Sequence, residues 1–267
     1  KSLRNQSQEE NLNLSKYYFN WQLDTTRHSL LNFKGYEAEL VTSEVTGLPR
    51  LKYDQSKPFT RETTYYNYYV PQDTIDVPAA YIVKRSWKKV IERLDANDIE
   101  YFSLSRDTTL TVESYHILDY DTRETPYEGH YLHSNVQVKK NTIKVSFQNG
   151  DYVVPSNQAG VRYILETLEP QAADSFFNWN FFDMILQQKE GFSPYVFEDI
   201  ALDLLKRDST LRGNFLLKKE LEEDFAQDWY AQLDWIYQRS KYREAPYLRY
   251  PIYRIAKGSS AASILQE

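Results

Sequence analysis

From Lys16 to about Val77 the chain runs in short aromatic and β-branched stretches, YYFNWQLD, FKGYEAELV, LPRLKYD and ETTYYNYYV, broken by Gly, Pro and Asp. That punctuation predicts strands joined by turns, so residues 16–77 read as a β-rich segment, and Pro71 and Pro78 bracket a linker. The period then changes. AYIV predicts a short buried strand, and Ser86 serves as N-cap for a helix with Trp87, Val90, Ile91 and Leu94 at i, i+3, i+4 and i+7. IEYFSL resumes as a strand, giving a β-α-β unit with parallel strands and a right-handed crossover.

VESYHILDY opens a meander that continues through Val136 and Val138, then Ile143, Val145 and Phe147, then Tyr152 and Val154. Asn149-Gly150 supplies the positive φ angles of a two-residue turn and is predicted to close a hairpin. Val161, Ile164, Leu165 and Leu168 then predict a short helix that Pro170 stops.

From Asp174 nearly to Ser240 the pattern is helical. Asp174 caps a helix over Ser175–Glu190 that is apolar almost all round, Gly191 closes it, and Phe225, Trp229, Leu233 and Ile236 mark the stripe of the last helix. YREAPYLRYPIYRI reads as an extended tail laid on the surface by Tyr packing and Arg pairing. The expected class is α+β. Its parts are a flexible segment 1–15, the β-rich segment 16–77, an α/β module with antiparallel hairpins at 78–170, a helical region 171–256 packed on it, and a flexible tail 257–267.

Charge and composition narrow the function. Thirty-two basic against thirty-eight acidic residues give a net charge of −6, with no Lys/Arg block to track phosphates, which argues against nucleic acid. The absence of cysteine removes thiol nucleophiles, disulfides and thiolate metal sites. No apolar run approaches the roughly 18 residues of a membrane span, and KSLRNQSQEENLN has no signal-peptide core. The chain opens on Lys1 and reads as a processed or excised fragment.

Four histidines carry what metal chemistry the sequence offers. YEGHYLH places His130 and His133 near Glu128, but strand alternation would put His130 on the apolar face and His133 on the other. His116-Ile-Leu-Asp119 has the spacing of a ligand pair and meets the same objection. No metal or cofactor site is therefore assigned to this chain, with His116, Asp119, His130 and His133 the weak candidates. Neither HExxH, GxGxxG, a P-loop nor G-x-S-x-G occurs.

The 23 Tyr, 13 Phe and 5 Trp are the compositional anomaly. In TYYNYYV, Tyr66 and Tyr68 would share one strand face and could stack on a sugar or peptide, but packing of a twisted sheet against its neighbours is the favoured reading. In FFNWNFF, Phe177, Trp179 and Phe181 would form a docking surface.

Several segments, in order, resemble the C-terminal noncatalytic region of bacterial zinc carboxypeptidase-like proteins: FKGYEAELVTSEVTGLPRLKYD, AYIVKRSWKKVIERL, PYEGHYLHSNVQV, GDYVVPSNQAGVRYILETLEP, SFFNWNFFDMILQQKEGFSPYVFEDIA, YAQLDWIYQRS and YLRYPIYR. The resemblance spans about residues 17–255. It implies a preceding carboxypeptidase A-like domain that holds the zinc and its general base, an exported protein, and no catalytic residue here. The expected role is to pack on or modulate that peptidase domain, with Ser175–Glu190 as the docking helix. A glycan- or peptidoglycan-peptide-binding module is the alternative. A third reading, an autonomous hydrolase built around His116 or His130, has the least support.

Overall fold

A computed structural model describes residues 14–266; the expected flexible segment at 1–15 falls almost wholly outside them. The chain is α+β and divides into two compact units, Lys16–Asp76 and a larger one that begins at Val77.

The smaller unit contains two antiparallel pairs. β1 (Lys16–Leu23) pairs with β4 (Tyr69–Asp76), and β2 (Ser29–Thr42) pairs with β3 (Pro49–Tyr65). LPRLKYD and the start of ETTYYNYYV, separate runs in the sequence, are thus one strand. The β2–β3 register shifts between Tyr36 and Ala38, where residues 54–57 loop out of β3. Asp54 closes that bulge by accepting the Ser56 N–H and hydroxyl at 3.0 and 2.6 Å.

In the larger unit, six strands are ordered β6-β9-β5-β10-β7-β8, all neighbours antiparallel: β5 (Ala80–Val83), β6 (Phe102–Ser103), β7 (Thr108–Thr122), β8 (His133–Phe147), β9 (Tyr152–Pro155) and β10 (Arg249–Ile255). The strands of the expected β-α-β unit, β5 and β6, do run in one direction, with β9 inserted between them. The helix between them, α1 (Lys88–Asp95), buries Val90, Ile91 and Leu94. Ser86 does not cap it. The position is held by Trp87, whose N–H donates to Lys84 O and whose indole stands edge-on to Phe182 at 4.8 Å.

The Asn149-Gly150 turn forms, with Gly150 at φ +88°, but it closes no hairpin, because β8 pairs with β7 while β9 pairs with β5 and β6. The buried Asp151 carboxylate accepts the Gln148 and Arg85 amides at 2.8 and 2.9 Å, which ties the turn to the end of β5. Flat, this sheet would separate β6 from β7 by four strand spacings, about 19 Å. Five residues span at most about 18 Å, and here they are turned. The sheet therefore curls, and Gly150 N–H donates to Leu104 O while Asn149 N–H donates to the Asp107 carboxylate, linking the two connections.

Inside the curl lie Ala80, Ile82, Leu104, Val112, Phe147, Val153, Tyr253 and Ile255, closed by Ala261 and Ile264 of the 3-10 segment Ser260–Gln266. The tail expected to be flexible is thus packed, because Ala261 and Ile264 are buried in the core and Ala262 and Leu265 pack against it. The other sheet face is covered by α2 (Val161–Leu168), which buries Val161, Ile164, Leu165 and Leu168 as its spacing predicts, and by residues 175–185.

Two expectations fail here for local reasons. Ser175–Glu190 is a chain of turns with one 3-10 turn at Asp183–Ile185, not an α-helix. The Ser175 hydroxyl bonds Pro170 O and the Asn178 N–H, the Asn178 amide bonds Ala172 O, and Asn180 sits at φ +64°, so side chains take the backbone groups a helix would use. YLRYPIYR is no surface tail either. It supplies β10, in the middle of the sheet, and the register slips between Arg249 and Tyr253 around Pro251, the residue that can donate no ladder bond.

The helical expectation holds from α3 (Pro194–Arg207) through α4 (Ser209–Leu221), α5 (Glu223–Gln227) and α6 (Trp229–Tyr237). Phe197, Ala201, Leu233, Ile236 and Tyr237 form their core. Asp228 caps α6 by accepting the Ala231 N–H at 2.9 Å, and that break leaves Trp229 exposed although Phe225, Leu233 and Ile236 are buried.

Candidate functional site

The histidines part company. Glu128 and Gly129 both have positive φ, and Tyr127 and His130 bridge each other across that turn, so strand alternation never reaches His130. The expected faces are reversed: His130 is half-buried against Trp179 at 5.6 Å, and His133, the first residue of β8, is buried.

His133 lies in a row of polar groups. Thr122 Oγ1 is 2.9 Å from its Nδ1, and Asp183 Oδ1 is 3.1 Å from its Nε2. An imidazole between a hydroxyl and a carboxylate has the connectivity of a hydrolytic relay. This ring is enclosed, however, with Tyr120 at 4.8 Å and Phe177 at 5.1 Å, and its backbone N–H donates to Asn178 O. Its chemistry is spent clamping the β7–β8 end to residues 177–183.

His116 and Asp119 both sit on β7 but serve different partners. The Asp119 carboxylate accepts the Tyr120 N–H, and the His116 ring accepts from Arg243 Nη2 at 3.2 Å. Among the described residues, no three His, Asp or Glu side chains come together as metal ligands.

The aromatic candidates also separate. Tyr66 and Tyr68 fall in the connection between β3 and β4 rather than on a strand face; Tyr66 is exposed and edge-on to His28, and Tyr68 lies under the Arg27 guanidinium at 4.1 Å. Phe177 is fully buried, Trp179 and Phe181 are half-buried, and Phe181 packs on Phe176 at 4.7 Å. The segment expected to dock a partner is committed to its own core.

Two arrangements escaped the sequence reading. The first is a buried ionic cluster behind the sheet. Arg254, 2% exposed, pairs with Glu169 at 2.9 Å and Glu113 at 2.8 Å, and Glu113 also meets Lys140 at 3.0 Å. The charges balance, two cations against two carboxylates. Tyr81 and Tyr115 bond Glu169, and burial followed by the Glu169 charge pushes both phenols above their ordinary range. The opposing carboxylates hold the Arg254 guanidinium charged against the cost of burial. Arg254 and Glu169 are closed from solvent, Glu113 and Lys140 carry the chain of ion pairs to the surface, and the cluster is structural.

The second is a cleft of about 490 Å³ beside β7, with Ser114, His116, Asn141, Arg243, Tyr247 and Arg249 on its walls. A larger cleft of about 780 Å³ shares Arg243 and Tyr247 and is otherwise lined by residues such as Lys189, Tyr230 and Arg239. The only sequence signal for either was arginine interleaved with tyrosine in YREAPYLRYPIYRI. Comparisons with family models, curated proteins and solved structures find no match. No helix among the described residues is long and apolar enough to cross a membrane.

Proposed function

We propose that this chain is the noncatalytic accessory region of a zinc carboxypeptidase-like protein, and that it packs on or modulates the peptidase domain of the same polypeptide. The family assignment rests on the ordered segments between residues 17 and 255. The packing role is supported by one observation: the β2–β3 hairpin carries Leu30, Tyr36, Leu40, Leu51 and Tyr53 exposed along strands that, among the described residues, pair only with each other. A two-stranded hairpin is marginal in water, and a row of exposed apolar side chains is a surface a partner would cover. The docking surface is accordingly the hairpin and not Ser175–Glu190.

In this reading zinc and its activated water belong to the peptidase domain, export goes with the family, and the isolated chain has no peptidase activity. The test is a titration of the purified peptidase domain with this chain, with activity assayed on the whole protein and on a version lacking the region. Saturable binding that Leu40→Asp and Tyr53→Asp abolish is expected. No binding together with unchanged activity on deletion defeats the proposal.

A further inference from the structure

The smaller cleft is unused by the accessory role, and its charges are lopsided. His116 lies on β7 opposite Lys139 of β8, and Arg249 of β10 stands opposite His116 on the other side. Arg243 reaches in from the connection between α6 and β10, its guanidinium 5.4 Å from the centre of the Tyr247 ring. Lys241 lines the rim. Against these stands one carboxylate in the lining, Glu244, whose Oε2 already accepts the Lys189 and Glu190 amides at 2.7 and 3.0 Å.

Arg243 is incompletely used. Its Nη2 donates to His116, but its Nε is buried with no acceptor among the described residues. A buried donor on a cation without an acceptor is costly, and it leaves the Arg243 charge only partly met by the protein. A concavity lined mainly by one sign of charge also concentrates counter-ions. The guanidinium fork matches oxyanions in particular. The remaining walls are neutral hydrogen-bonding groups, Ser114, Asn141 and Thr142, of which Ser114 is buried.

We propose that this cleft binds an oxyanion, a carboxylate or phosphate borne by a small hydrophilic ligand, with Arg243 and Arg249 as its cationic partners and Ser114, Asn141 and Thr142 as neutral ones. The ligand faces the Arg243 and Arg249 guanidinium groups where these line the cleft. His116 reports occupancy, because burial first and then the Arg243, Arg249 and Lys139 charges hold its imidazole below the ordinary range. An anion among those cations reverses part of that effect.

The experiment is an NMR titration of the histidine ring protons in the full chain, with the His116 signal identified by its loss in His116→Asn. Sodium phosphate, sodium acetate and sodium chloride are compared at equal ionic strength. Phosphate or acetate is expected to raise the His116 midpoint by about one pH unit, saturably, with His28, His130 and His133 unmoved. Response to phosphate alone assigns a phosphoryl ligand, and response to acetate alone a carboxylate; Arg243→Gln should abolish either. Equal responses to all three salts, or a response that persists in a folded Arg243→Gln, overturn the proposal. Should Arg243→Gln fail to fold, the wild-type comparison with chloride decides by itself.

Discussion

The two units are built from the same kind of strand sequence and bury it very differently. In Lys16–Asp76 only Phe19, Ser43 and Ile75 are buried, although the segment holds long runs of Tyr, Phe and Leu. In the larger unit β5 is buried at all four positions, and β10 is buried from Tyr250 to Ile255. Strand propensity and alternation were adequate in both. What separates them is a second layer: α2 and residues 175–185 cover one sheet face, and curling fills the other, whereas β2 and β3, among the described residues, pair only with each other. Aromatic content therefore marks strands without saying whether a core awaits them.

The contrast is broken most severely at Arg254. Arg254→Met leaves Glu169 and Glu113 without their buried counter-charge, and an unmatched charge of this kind costs about 3–5 kcal/mol. Chemical denaturation should show that loss in the larger unit, with amide spectra of the β2–β3 hairpin unchanged. A loss under about 1 kcal/mol would mean the cluster is solvated, contrary to the burial of Arg254 and Glu169.

A matched pair of truncations comes next. Ile82 is fully buried inside the curl and Leu40 is 73% exposed on the hairpin. Ile82→Ala should cost about 2–5 kcal/mol and Leu40→Ala within about 0.5 kcal/mol in the isolated chain. Under the proposed docking role the order of importance changes with a peptidase domain present, and Leu40→Ala should weaken binding while Ile82→Ala acts only through stability. Equal costs in the free chain would show that the hairpin is covered within the chain itself.

Glycine supplies a smaller comparison at constant chemistry. Gly150 (φ +88°) and Gly47 (φ +72°) both hold left-handed backbone, and an added Cβ would meet nothing closer than 3.7 Å at either. Alanine should cost about 1–2 kcal/mol of backbone strain at each. At Gly150 the loss should appear as global destabilisation, because that turn is bonded to Leu104, Asp107 and Arg85. At Gly47 it should appear as faster hydrogen exchange confined to the β2–β3 tip.

What the sequence made legible follows the range of the interactions. Val90, Ile91 and Leu94, and then Val161, Ile164, Leu165 and Leu168, declare their helices because a 3.6-residue period is local. The Asn149-Gly150 turn was legible and its consequence was not, since pairing β9 with β5 and β6 is decided by residues 49 and more positions away. FFNWNFF misled because apolar residues on every side describe any buried segment, and the deciding bonds come from Ser175 and Asn178 side chains. The site was least legible. Arg243 meets His116 across 127 positions, and Arg254 meets Glu113 across 141, separations to which no spacing rule applies.

The smallest expected effect is a difference in which pH range loosens each unit. His116 has its folded pKa depressed below the ordinary 6.5, by burial first and Arg243 next. Between those two values the unfolded chain binds more protons, so its contribution is complete above pH 6.5 and is lost as pH falls toward the folded value. In the hairpin, the Ser56 hydroxyl, Lys57 and the Ser56 N–H draw the exposed Asp54 carboxyl from 3.8 down to about 2. Its contribution is present above pH 3.8 and fades as pH falls toward 2. Amide exchange at Ser56 and Lys57 should therefore stay flat down to about pH 4 after correction for intrinsic rates. Exchange of amides whose opening exposes the His116 environment should rise below pH 6.5, and His116→Asn should remove that rise. Glu244, held low by the Glu190 and Lys189 amides, adds a second step in the larger unit only below its ordinary 4.5. If both regions loosen in one window, the two units unfold as a single cooperative body, and the contrast drawn from their burial would not extend to their stability.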